Sequence, residues 1–160
     1  MGETICFSCR RSLEEEDELR ILTRACEQCF GTIFSSRDER LPAYLEALDV
    51  PAALLSRERT VLDSNGLFRH IASNPVVAGI EIGEVLDCMY TPLLGQCGET
   101  VPCLLCKVRN SVEHTWLTGE GLRELPFSFP HKVETRRKYA ITTEKAGSAI
   151  LLLLEPVPEE

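Results

Sequence analysis

Eight cysteines fall in two groups of four along this 160-residue chain. The first group reads Cys6-x2-Cys9-x16-Cys26-x2-Cys29. A Cys-x-x-Cys hook sets two sulfurs on one tight turn, and two hooks at this separation can close around a single ion. Thiolates hold Zn²⁺ in a closed tetrahedron, so the protein fills all four positions and leaves none for a reacting water. The spacing therefore predicts a structural zinc site at Cys6, Cys9, Cys26 and Cys29. An iron–sulfur centre and free redox thiols are the other chemistries these ligands allow.

The second group is Cys88, Cys97, Cys103 and Cys106. Thr100-Val101-Pro102 reads as a helix start, which sets Cys103 and Cys106 on one face at a helix N-terminus. Backbone N–H groups and the helix dipole favour thiolate over thiol there. Cys97 comes from the preceding loop and Cys88 from the segment before it. Three readings stay open: a second zinc or iron–sulfur site, a reversible dithiol switch, or buried cysteines acting as small apolar residues. Lys107 rather than His follows Cys106, so covalent haem attachment is not indicated. His114 lies off the apolar stripe of its helix and reads as a surface residue, not a haem ligand.

No catalytic constellation accompanies the thiols. The chain has no phosphate-binding glycine loop, no Gly-x-Ser-x-Gly elbow and no His-Glu-x-x-His. With 17 basic against 25 acidic residues and a net charge of −8, a nucleic-acid-binding surface is not expected. A DNA-binding zinc ribbon is disfavoured on the same ground. The start, Met1-Gly2-Glu3-Thr4, has no apolar signal region, and the longest apolar run, Ala149 to Leu154, is far too short to span a bilayer. These features predict a cytoplasmic protein with no membrane segment. In a reducing compartment such cysteines bind metal or do redox chemistry; in an exported chain they would pair as disulfides.

The elements that must position these groups can be read from periodicity. Residues 1–36 hold too little apolar surface to fold unaided and need the metal as a staple. Leu41, Tyr44, Leu45 and Leu48 recur at helical spacing, with Pro42 in the first turn and Val50-Pro51 as the stop. This connecting helix spans residues 37–50. Ala52–Ser56 and Thr60–Ser64 read as a hairpin, and Asn65-Gly66 ends it. A brief helix follows near Leu67–Ala72, then a mixed stretch to Leu86. Leu105, Val108, Val112 and Trp116 make one helical stripe closed by Gly119 and Gly121. Strands are expected at 123–129, 133–143 and 148–155. The sum is an α+β fold: a five-stranded antiparallel sheet with helices on one face, preceded by the four-cysteine module.

The segment "AALLSRERTVLDSN", Ala52 to Asn65, resembles the opening hairpin of PAS sensor domains. "GIEIGEVLDC", Gly79 to Cys88, is similar to their mid-domain segment, and the closing pair of strands matches as well. "GQCGETVPCLLCKVRNSV" is similar to Cys-rich insertions in some PAS sensors. The resemblance implies a PAS-like sensor domain over residues 51–157, a pocket for a small-molecule ligand between sheet and helices, and a surface for a protein partner or a homodimer. The expected function is non-enzymatic signal sensing or adaptation. The contrasting class is a thiol oxidoreductase or electron carrier using Cys103 and Cys106. Colour and zinc content separate them cheaply: iron–sulfur protein is brown, a colourless protein with about two zinc per chain favours structural sites, and about one zinc with titratable thiols favours the redox class.

Overall fold

The run Ala149 to Leu154 contains no polar residue to face water. Because side chains alternate across a strand, a strand built from it must be covered on both sides. A computed structural model describes residues 4–14, 18–35, 39–72, 78–86, 88, 106–129 and 137–157. In it this run forms β5 (Ala149–Pro156), the middle strand of a five-stranded sheet. The other strands are β1 (Ala52–Leu55), β2 (Val61–Ser64), β3 (Leu122–Phe129) and β4 (Arg137–Ala146). Their order is β2-β1-β5-β4-β3, and every pairing is antiparallel. Leu54 pairs with Leu151 and Thr143 with Leu152.

The alternation divides the core in two. Ala53, Leu55, Ile150, Leu152 and Leu154 face one side. They meet Phe68 of α4 (Gly66–Ile71), Ile82 and Val85 of α5 (Ile82–Val85), and Val108 and Val112 of α6 (Lys107–Thr118). This is the α+β layering that the strand order predicted. Ala52, Leu54, Leu151 and Leu153 face the other side. There they are covered by Phe30 and Ile33 of α2 (Glu27–Ser35) and by Tyr44 and Leu45 of α3 (Leu41–Ala47). The cysteine module and connecting helix thus lie on the sheet's outer face, opposite α4–α6.

Asn65 ties the layers together. Its carboxamide oxygen accepts from the Phe68 N–H at 2.9 Å, capping α4, and from the Ala52 N–H at 3.0 Å, which opens β1. Its amide nitrogen donates to Leu45 O at 3.1 Å and Val50 O at 2.8 Å. The expected hairpin stop is therefore also the joint between helix α3, the sheet and α4.

The described long helix runs from Lys107 with Cys106 as N-cap; the expected helix start at Thr100–Pro102 lies in 89–105, outside the described residues. Its buried stripe is Val108, Ser111, Val112 and Thr115, with Trp116 only partly buried. The last turn is rotated because β4 presents hydroxyls: Thr115 Oγ1 and Thr143 Oγ1 lie 2.7 Å apart in a buried hydrogen bond. Trp116 instead sits at the rim, with Lys145 Nζ 4.5 Å from its ring centre. The last two strands run Arg137–Ala146 and Ala149–Pro156, and residues 130–136 lie outside the described residues.

Candidate metal centre

The first hook is carried on a small hairpin. Ile5 bridges Ser12, Leu13 N–H donates to Thr4 O at 2.9 Å, and Cys6 N–H donates to Arg11 O at 2.8 Å. Arg10 N–H closes on Cys6 O at 3.1 Å, and Arg10 takes a left-handed φ of 66° to let the chain turn back after Cys9. The second hook spans a helix start. Arg24, also left-handed at φ 55°, ends the turn after α1 (Glu18–Thr23). Cys26 precedes α2, and Cys29 lies in its first turn. Phe7 N–H donates to Arg24 O at 2.7 Å, which locks one hook against the other.

All four Sγ atoms lie within 4.8 Å of one another. Cys6 and Cys26 sulfurs are 3.8 Å apart, and those of Cys9 and Cys26 are 3.9 Å apart. Zn–S bonds of 2.3 Å in a tetrahedron set sulfurs about 3.8 Å apart. The residues present therefore fit one tetrahedral ion. An iron–sulfur cluster places several irons and sulfides between its cysteines and needs a wider cage. No disulfide joins these residues.

The thiols are electrostatically divided. Burial pushes the Cys6 thiol up, but the backbone N–H groups of Cys9, Cys26 and Ser8 outweigh it and bring its pKa down to about 6. Burial, followed by hydrogen bonding with Cys26, Cys9 and Cys6, pushes Cys29 up to about 12. Four thiolates crowded this closely need a cation among them to ionise together.

An aromatic box joins the centre to the outer face. Tyr44 of α3 meets Phe7 and Phe34 edge-on at 5.6 Å each and Phe30 at 6.4 Å. Its hydroxyl donates to Thr23 O at 2.5 Å, and burial raises its pKa. Arg20 of α1 stacks over Phe30 and pairs with Glu144 of β4. At the β4–β5 turn, Gly147 has φ +62°, and a Cβ there would lie 2.1 Å from Phe34 O.

Of the second group, Cys88 and Cys106 are half-buried and pack on the inner core, and Cys97 and Cys103 lie outside the described residues. His114 is exposed. Among the described residues, no helix is long and apolar enough to cross a membrane.

No family model and no curated protein matches the chain. Solved structures do. The PAS domain of Bordetella pertussis BvgS aligns with a TM-score of 0.53 at 14% identity, covering 76% of this chain and 87% of that one. The LOV protein of Rhodobacter sphaeroides aligns at 0.52 and 11% identity, covering 76% of this chain and 67% of that one. The photoactive yellow protein domain of the Rhodospirillum centenum sensor histidine kinase Ppr aligns at 0.50 and 15% identity, covering 71% and 91%.

The chain has a PAS-like fold. The PAS-like sheet is β1–β5 with α4–α6 on its inner face, and the cysteine module is an addition to its outer face. Arg20 and Glu144 were not singled out from sequence, and Asn65 and Gly147 were read there only as turn residues. The missed signal was the apolar continuity of Ala52–Leu55 and Ala149–Leu154, which demands cover on both sides.

Proposed function

We propose that the chain is a non-enzymatic signal-sensing or adaptor protein. In this reading residues 1–36 form a structural zinc module on Cys6, Cys9, Cys26 and Cys29. Residues 37–50 connect it to a PAS-like sensor domain at 51–157. The observation that carries the reading is the set of sulfur spacings, 3.8 and 3.9 Å, on a module packed against the outer face of a PAS-like sheet. Free thiolates persist in a reducing compartment, which supports a cytoplasmic location.

The inner face is the sensing side. Cys88 and Cys106 pack there against the same core as Val108 and Val112 of α6. With Cys97 and Cys103 they form a second centre, holding a metal or cycling between dithiol and disulfide, or flanking a small-molecule ligand. Occupancy biases how α6 packs on the sheet. Because β1, β4 and β5 are shared by both faces, the bias reaches the zinc module through Arg20–Glu144 and the Gly147 turn. A protein partner or a second copy of the chain then reads the module's position. The sensor histidine kinase origin of one structural neighbour fits such an output.

Amide hydrogen exchange on the full chain, with zinc and after chelation, tests this. Zinc removal is expected to lower protection in α1–α3, in the β4–β5 turn and in α6 together. Loss confined to residues 4–35, with β4, β5 and α6 unchanged, would separate the module from the sensor and end the adaptor reading.

A further inference from the structure

Cys9 is the exposed member of the four; Cys6 is buried and Cys26 and Cys29 are half-buried. It opens onto a groove of about 280 Å³ that also touches Ser8, Arg11, Cys26, Cys29 and Arg40. Arg11 and Arg40 are both exposed, and the Arg40 guanidinium donates to Ser8 Oγ, which fixes it beside the first hook. A Zn²⁺ ion held by four thiolates carries a net charge of −2 and repels anions. Two guanidiniums at the rim offset that charge where the most exposed of the four cysteines lies.

We propose that this groove admits a small carboxylate-bearing disulfide to Cys9, making the zinc centre a thiol-exchange site; the inference rests on the zinc reading above. Zinc-bound thiolates are nucleophiles, and access decides which one reacts. The Cys9 thiolate attacks one sulfur of the disulfide. That S–S bond breaks, a mixed disulfide forms on Cys9, and the other half leaves as a thiolate. Cys26 Sγ, 3.9 Å from Cys9 Sγ, then attacks the Cys9 sulfur and expels the second thiolate. Two cysteines have lost one electron each to the reagent. With Cys9 and Cys26 joined as a disulfide, only Cys6 and Cys29 would remain to hold the ion, and the centre would lose it. The staple of the outer-face module is thereby opened by the thiol–disulfide poise.

The test uses the zinc-loaded full chain with glutathione disulfide, which is anionic, and cystamine, which is cationic. Zinc release is followed with a chromogenic chelator and the modified cysteines by peptide mapping. Among the module's four cysteines, Cys9 is expected to be modified first and in step with zinc release. Arg11→Gln with Arg40→Gln is expected to slow the reaction with glutathione disulfide roughly 3–10-fold and to leave or raise the rate with cystamine. Should that variant fold poorly, salt serves on the wild-type chain: the anionic-to-cationic rate ratio is expected to fall as ionic strength rises. First modification at Cys29 or Cys26, or a rate ratio indifferent to both arginines and salt, overturns the inference alone. A chain with no metal at the site overturns it together with the zinc reading.

Discussion

Arg20 of α1 and Glu144 of β4 form an ion pair between the cysteine module and the PAS-like sheet, with side chains only 10% and 16% exposed. The Arg20 guanidinium also stacks on Phe30 at 5.0 Å, so one side chain joins the aromatic box to the fourth strand. Among the described residues, Arg20 is the one charged residue that is buried.

Removing one partner leaves the other charge shielded from water without its counterion, which costs about 3 kcal/mol. Glu144→Ala is therefore expected to lower the urea midpoint clearly. The double variant Arg20→Met with Glu144→Leu is expected to recover most of the loss, since neither charge then needs a partner. Equal destabilisation in both would mean that packing, not charge pairing, dominates here.

Asn65 is 1% exposed and makes four hydrogen bonds to backbone groups of α3, the α3–β1 connection, β1 and α4. Asn65→Ala strands those groups and removes the α4 cap, an expected cost of about 3 kcal/mol. Asn65→Asp keeps both acceptor contacts but sets a carboxylate against Leu45 O and Val50 O, so it is expected to rescue little. Thermal unfolding of both variants decides; full rescue by Asp would assign the stability to the cap alone.

Gly147 sits where the β4–β5 turn touches α2. Gly147→Ala combines a left-handed φ of 62° with a Cβ 2.1 Å from Phe34 O. The turn strain alone costs about 1 kcal/mol; the contact must also push the module outward. Faster exchange of α2 amides, beyond that of β4, is the expected signature. Uniform loss across the sheet would mean that the turn, not the docking, was harmed.

Burial raises the pKa of Glu155 in β5, with Glu124 adding repulsion and Arg123 partly opposing it. Its folded state thus holds a proton more tightly than the unfolded chain. Stability from this group is present below the ordinary carboxylate range and is lost as pH rises through the raised value. Glu155→Gln is expected to gain on wild type progressively from pH 4 to 7 in urea titrations. A difference between the two that stays flat with pH would show that Glu155 ionises normally.

Much of this was legible in the residues. The Cys-x-x-Cys hooks come together as their spacing required. Tyr44, Leu45 and Leu48 are buried as the helical period demanded. The hairpin and the closing strands lie within a few residues of their expected places, and the long helix ends at Gly119 as expected. What periodicity could not convey was relative placement. Helical spacing says that Tyr44 is buried, not that its partners are Phe7, Phe30 and Phe34. The rotation of α6 toward Thr115 depends on Thr143, 28 residues away. Docking of the module was encoded, in the unbroken apolar runs of β1 and β5, but a run names no occupant.

Zinc content by elemental analysis, compared between the wild-type chain and Cys26→Ser with Cys29→Ser, bears most directly on the four-cysteine centre. The wild type is expected to carry one more zinc per chain than the variant, whatever Cys88, Cys97, Cys103 and Cys106 hold. Equal zinc in the two proteins would contradict a metal-stapled module on the outer face of the sheet.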